Sequence, residues 1–216
     1  IMMGNDQQDA IRNKNVAQLT YENDYQFAKA PNPPKVTAVA GDGKVTLYWD
    51  RSAEDTKDKY MGNITDGADL YDFEGYKIYR ATDFEFNDAY NITDGDGNPT
   101  FLEPYVQNGV RAQWDLIDGK SGWHPVDLNG IKFYLGDETG LVHSYVDNNV
   151  VNGQRYYYAV VSYDYGGDLT NNIIPSDSPM KLRVNPLTGA VSLGPNVVEV
   201  VPCLLYTSPS PRDNRT

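Results

Sequence analysis

Asn152-Gly-Gln-Arg-Tyr-Tyr-Tyr-Ala-Val-Val-Ser-Tyr-Asp164 is the stretch that decides how this chain folds. A turn signal, Asn152-Gly153, opens it, and a run of aromatic and β-branched residues follows, which predicts a strand. Side chains alternate across a strand, so Tyr156, Tyr158, Val160 and Ser162 share one face, and Tyr157, Ala159, Val161 and Tyr163 the other. Both faces are apolar. A strand that met water on one side would alternate apolar with polar, so this one is expected inside a sheet covered on both sides. The second face needs a cover, which either the segment 81–135 or an N-terminal helix must supply.

Shorter strand signals flank it. Pro31-Asn-Pro-Pro34 breaks any helix and biases the chain to extended form. Lys35–Ala40, the turn Gly41-Asp-Gly43 and Lys44–Asp50 then read as a hairpin with Val45, Leu47 and Trp49 on one face. Glu74–Arg80 predicts a strand with Tyr76 and Ile78 together. Ile131–Leu135, Leu141–Val146 and Pro179–Val184 predict three more. Residues 51–73 are polar and rich in Gly and Asp, and read as a long loop. The segment 81–135 is too long for a structureless loop in a compact domain, so it should hold strands of its own. Residues 5–28 are a helix candidate, with Asn5 or Asp6 as cap and Asp9 in the first turn.

With 17 Tyr among 216 residues and frequent Gly, Pro, Asn and Asp, the composition favours a β-rich domain with long loops. A formal charge of −12 argues against nucleic acid and against an anionic membrane surface. No apolar run approaches the ~18 residues that a membrane span requires.

The order of these segments resembles a fibronectin type III domain. A proline-started strand precedes Val45-x-Leu47-x-Trp49, then Gly75-Tyr-Lys-Ile-Tyr-Arg80, then Asn152-Gly-x-x-Tyr156-x-Tyr158-x-Val160, then a closing strand with Ser and Pro before it. The resemblance implies an all-β, immunoglobulin-like β-sandwich over residues 31–185. It carries insertions at 51–73 and 81–135, a short N-terminal helical segment at 1–30 that ends a preceding region, and a linker at 186–202 towards a further domain. Trp49, Tyr76, Ile78, Tyr158 and Val160 are then core residues, and Tyr156 is the tyrosine whose hydroxyl bonds backbone a few residues upstream. Arg-Gly-Asp, the integrin motif of that family, is absent.

Gly43–Asp50, Asp72–Arg80 and Phe133–His143 also resemble large secreted proteins of the Bacteroidetes–Ignavibacteria type. Many of those end in a sorting domain for type IX secretion that opens Val-Val-Pro-Asn-Pro. Val198-Glu-Val-Val-Pro202 stops where such a pattern would begin. This resemblance implies an exported bacterial protein, extracellular or at the cell surface, with neighbouring domains in the same chain. Cys203-Leu-Leu-Tyr-Thr-Ser-Pro-Ser-Pro-Arg-Asp213 looks like a translated sequencing-library adapter, so residues 203–216 are expected to be an artefactual, disordered tail. Arg212, Arg215 and Asp213 give the tail a net +1, which leaves −13 on the remainder against −12 for the whole. Cys203 is the single cysteine, so neither a disulfide nor thiol chemistry is expected.

Three groups of residues are candidates for chemistry. Asp94, Asp96 and Asn98 have the spacing of the first ligands of a calcium loop, although Tyr105 stands where an EF-hand has its bidentate Glu. Asp-Gly and Gly-Asn are equally the residues of a hairpin turn. Trp114, Trp123 and Tyr105 could stack on a sugar, or pack against a sheet. His124 and His143 lack any metal-ligand spacing, and there is no G-x-S-x-G, H-E-x-x-H or phosphate-cradling loop. The expectation is therefore a non-catalytic structural, adhesion or docking module without a cofactor, calcium being the one candidate ion, whose partner is a protein or glycan at the cell surface. The alternative is a carbohydrate-binding accessory module of a secreted enzyme.

Overall fold

The computed structural model describes residues 11, 14, 17, 18, 27–169 and 172–203. Within the helix expected over 5–28, Ile11, Lys14, Ala17 and Gln18 have helical backbone. Phe27 and Ala28, at its end, are exposed and not helical, and the rest of that segment, like 204–216, lies outside the described residues.

The chain is predominantly β. In order, its elements are β1 (Val36–Gly41), β2 (Lys44–Trp49), α1 (Lys59–Ile64), β3 (Phe73–Ala81), β4 (Asn91–Thr93), β5 (Pro99–Leu102), β6 (Val106–Gln107), β7 (Val110–Arg111) and β8 (Gln113–Asp115). Then follow β9 (Trp123–Leu128), β10 (Ile131–Tyr134), β11 (Ser144–Asp147), β12 (Tyr156–Asp164), β13 (Leu182–Val184), β14 (Val191–Leu193) and β15 (Val197–Val200). Two antiparallel sheets form the frame, one ordered β1-β2-β11 and the other β15-β12-β3-β8.

The frame is sandwich-like because one face of each sheet is apolar and the two faces meet. Val36, Val45, Leu47 and Trp49 from the smaller sheet pack on Tyr76, Ile78, Tyr156, Tyr158, Val160 and Val200 from the larger one. Trp49 meets the ring of Tyr76 edge-on, with centroids 5.8 Å apart. Such aromatic pairs add to simple area burial. The hydroxyl oxygen of Tyr156 accepts a hydrogen bond from the Val151 amide at 3.0 Å and pins the turn that leads into β12.

β12 is buried along its whole length, as its two apolar faces require. Its second face, with Tyr79 and Ala81 of β3, is covered from two sources. Segment 81–135 supplies Phe84, Phe86, Ala89 and Leu102, and the C-terminal region supplies Met180, Leu182 and Leu193. Farther along, Phe133, Leu135 and Phe101 cover Tyr163. The 81–135 segment does hold its own strands, β4 to β10, mostly in two-stranded hairpins.

Four expectations are corrected. Segment 51–73 is not all loop, since α1 lies in it. Asp58 caps this helix through Oδ1, which accepts from the Tyr60 and Met61 amides at 2.8 and 3.0 Å. Six residues, fewer than two turns, are too short to display a helical period, so only the cap could have signalled it. The strand expected at 141–146 begins at Ser144, and His143 precedes it. The strand expected at 179–184 starts at Leu182 and pairs with β14 in a separate hairpin. Finally, 186–202 is not a linker. Its β15 pairs with β12 from Tyr156↔Val200 to Ala159↔Val197 and closes the larger sheet. Val197 and Val200 are buried, whereas Arg183 and Val184 of β13 are exposed. Burial, not proximity to a Pro/Ser signal, selects the closing strand.

Candidate functional site

A cleft of about 520 Å³ opens where the β6–β7 hairpin, β8, the end of β10 and Tyr145 of β11 converge. The hairpin turns at Asn108-Gly109, both with positive φ (53° and 82°), the backbone that Asn and Gly accept most readily. Trp114, Tyr134 and Tyr145 give the cleft aromatic walls, and Arg111, Asn108 and Asp137 are among its polar groups.

Buried hydrogen bonds hold these walls. Gln113 Nε2 donates to the carbonyls of Tyr134 (3.0 Å) and Leu135 (2.8 Å), so the end of β10 is tied to β8. The Tyr163 hydroxyl donates to the same Leu135 carbonyl. Asp115 is fully buried, and its carboxylate accepts from the amides of Glu138 (2.6 Å) and Thr139 (2.8 Å), which shapes the 136–139 loop. Gly136 adopts φ 144°, and a Cβ there would lie 2.3 Å from the Asp115 carboxylate.

The Tyr134 hydroxyl donates to Asp137, and that bond to a carboxylate, with some burial, pushes the phenol up to about 12. Tyr134 is therefore a neutral donor at neutral pH. The Arg111 guanidinium lies 5.2 Å from the Tyr134 ring centroid and pairs with Glu103 at 2.5 Å. The buried hydroxyl of Tyr145 has no hydrogen-bond partner among the described residues. Burial raises its pKa, so it too stays protonated.

The three aromatics expected as a stacking platform do not share one surface. Trp114 packs against the core, 5.9 Å from Trp49 and 5.5 Å from Tyr145 between ring centroids, and reaches the cleft from behind. Trp123 is 60% exposed and meets Tyr134 edge-on at 4.9 Å. Tyr105 donates to the buried Asp147 at 3.2 Å. Asp147 also accepts from the Tyr158 hydroxyl (2.7 Å) and Arg80 Nη1 (2.9 Å), and the Arg80 guanidinium lies 3.9 Å from the Tyr105 ring centroid. This is a satisfied ionic network inside the sandwich. Tyr134 and Tyr145 escaped the sequence reading because each sits in a strand pattern that explains an aromatic by packing alone.

Asp94, Asp96 and Asn98 do come together, as a closed turn between β4 and β5. Asp94 Oδ1 accepts from the amides of Asp96 (3.0 Å) and Asn98 (2.8 Å), and the Asn98 side-chain amide donates to both carboxylate oxygens. These bonds, chiefly from Asn98, hold the Asp94 carboxyl below its ordinary range. Among the described residues, no group of three His, Cys, Asp or Glu is placed to hold a metal ion.

Both histidines are engaged in structure. Buried His124 has Nε2 2.6 Å from the Gly167 carbonyl. His143 has Nε2 2.6 Å from Glu54 and packs beside the Trp49 and Tyr76 rings. No helix among the described residues is long and apolar enough to cross a membrane. No protein family, curated protein or solved structure matches the chain.

Proposed function

We propose that the chain is a fibronectin type III-like module of an exported bacterial protein, extracellular or at the cell surface, that docks a partner rather than transforming one. The fold part of this reading is supported by the order β1-β2-β11 facing β15-β12-β3-β8. The bond between the Tyr156 hydroxyl and the Val151 amide, with Trp49 in the core, supports it further. Fold alone carries no function.

The observation that carries the docking role is the cleft built on β6–β8, with aromatic walls and convergent polar groups. Its walls are fixed by Gln113 and Asp115, so little ordering is left for a ligand to impose. A surface protein segment is the general partner class.

A second reading, carbohydrate binding, is favoured by one feature. Tyr134 sits between the cleft and exposed Trp123, within reach of Arg111 and Asp137, which gives ring faces beside charged hydrogen-bonding groups. A glycan array probed with the full chain and with Tyr134→Ala and Trp123→Ala separates the two. Glycan signals lost in both variants favour the carbohydrate reading. With a silent array, a protein partner that binds the natural chain and not Tyr134→Ala supports docking. Partner binding that survives Tyr134→Ala would refute the cleft.

A further inference from the structure

Lys77 stands in the middle of β3, between Val161 of β12 and Gln113 of β8, and only 3% of it is exposed. Its Nζ lies 3.2 Å from Asp177 Oδ1. Aromatic rings enclose the amine, with Phe133 at 3.5 Å and Tyr163 at 4.7 Å from Nζ to ring centroid. The Tyr79 hydroxyl donates to the other carboxylate oxygen, Oδ2, at 2.5 Å.

Asp177 is clamped from both sides. Ser176 donates through its amide (2.8 Å) and hydroxyl (2.6 Å) to buried Asp164. The Ser178 amide donates to the Ser162 carbonyl at 2.7 Å, and Asp177 itself bridges to Tyr163. An amine and a carboxyl are thus held in contact, 3.2 Å from Nζ to Oδ1, with little freedom left to lose.

We infer that Lys77 and Asp177 condense into an intramolecular amide, a covalent cross-link between β3 and the segment beyond β12. The Lys77 ammonium first passes a proton to Asp177 Oδ1, leaving a neutral amine and a neutral acid. Nζ then attacks Cγ, and the negative charge that develops on Oδ2 is met by the Tyr79 hydroxyl. A second proton moves from nitrogen to Oδ1, the Cγ–Oδ1 bond breaks, and one water leaves. The Nζ–Cγ amide remains, with no change of oxidation state and no co-reactant.

The surroundings favour each step. Burial lowers the Lys77 pKa against the opposing pull of Asp177, which brings the neutral amine within reach. Burial holds the Tyr79 phenol well above its ordinary range, so it remains a donor. Two charges that are costly inside a protein become one neutral group. Asp177 keeps part of its side chain at the surface, which gives the water a way out.

The experiment is intact-mass measurement and peptide mapping of the purified full chain. The expected mass is one water below that of the sequence. Trypsin should fail to cleave after Lys77, and a branched peptide should join the segments that contain Lys77 and Asp177. Asp177→Ala should restore the full mass. Asp177→Asn should lose ammonia instead and end at the mass of the natural product. Asp-Gly pairs at Asp42, Asp66, Asp94, Asp96 and Asp118 can lose water as cyclic imides. A water loss that persists in Asp177→Ala therefore overturns the inference. So does a folded natural chain at full mass whose Lys77 is open to trypsin after denaturation, since the pair is then an ion pair only. If Asp177→Ala fails to fold, presence or absence of the branched peptide in the natural chain still decides.

Discussion

The phenolic oxygen of Tyr156 sits 3.0 Å from the amide nitrogen of Val151, five residues upstream, and accepts a hydrogen bond from it. The bond ties the turn at Asn152-Gly153 to the first residue of the strand that runs through the larger sheet. Tyr156→Phe removes the acceptor and leaves the Val151 amide without it, at a cost of about 1–2 kcal/mol. Tyr157 sends its hydroxyl to Glu199 near the sheet edge, 3.1 Å away, so Tyr157→Phe should cost less. Urea unfolding of the two variants checks the order. The reverse order would mean that the turn does not depend on this bond.

Glu74, Asp72 and Asp164 should make the fold less stable as pH rises. Burial raises the first two to about 8 and the third to about 7, with neighbouring carboxylates adding to the shift. Both Glu74 oxygens are buried without a hydrogen-bond partner among the described residues. Below about pH 4 these groups are protonated whether the chain is folded or not. Between pH 4 and 8 the unfolded chain loses these protons first, so rising pH favours unfolding. Above about pH 8 the native groups ionise too, and the penalty is complete. Unfolding free energy should therefore fall from pH 5 to pH 8, and Glu74→Gln should shrink that fall by about 2–4 kcal/mol. An equal fall in natural and variant chains would show that Glu74 does not hold a proton in the fold.

Ending the chain after Asn196 should abolish the cooperative fold, and ending it after Cys203 should leave the melting temperature unchanged. The first cut removes β15, uncovers the edge of β12 and takes Val197 and Val200 out of the two cores. The second keeps the Pro202 carbonyl, which accepts from Gly153 at 2.8 Å. Calorimetry on the two truncated chains checks both. A folded chain ending at Asn196 would show that the larger sheet closes without β15.

Asp94→Ala should open the β4–β5 turn, because one carboxylate there accepts from two backbone amides and the Asn98 side chain. The expected outcome is a lower melting temperature than that of the natural chain. Melting in millimolar calcium against excess chelator tests the ion at the same place. The donors already on Asp94 predict equal melting temperatures. A rise of several degrees in calcium, lost in Asp94→Ala, would show that an ion displaces them.

Gly136→Ala should deform the cleft. The new methyl would meet the Asp115 carboxylate at 2.3 Å on a backbone with φ 144°. Strain and overpacking together cost about 2–4 kcal/mol. Loss of the near-ultraviolet aromatic signal around Tyr134 and Trp123 would report the change, and an unaltered signal would show that the loop has room to yield.

Some of this protein could be read from residue order alone, because it depends on local periodicity. The two-faced strand at 156–164, the hairpin with Val45, Leu47 and Trp49 on one side, and the pairing of Tyr76 with Ile78 follow from alternation and turn chemistry. The expectation that segment 81–135 holds strands rests on a chain-length argument that is likewise local. What periodicity does not encode is which strand ends up beside which. Residue order reads Pro179–Val184 as the closing strand and 186–202 as a linker, and only the otherwise unpaired edge of β12, together with the buried seats of Val197 and Val200, selects Val197–Val200 instead.

The cleft and the buried pair illustrate the same limit more sharply. Trp114 and Trp123 lie in the same inserted segment, yet one side chain packs against the sandwich core and the other is exposed to solvent. Lys77 and Asp177 are 100 positions apart, and nothing in either segment names the other. Their meeting depends on β12 pairing with β3 on one side and holding Asp177 through Tyr163 on the other. Residue order determined the strands and the sign of the surface charge. Tertiary packing alone decided the closing strand, the walls of the cleft and the burial of an amine against a carboxylate, because desolvation and non-local pairing are properties of the assembled chain.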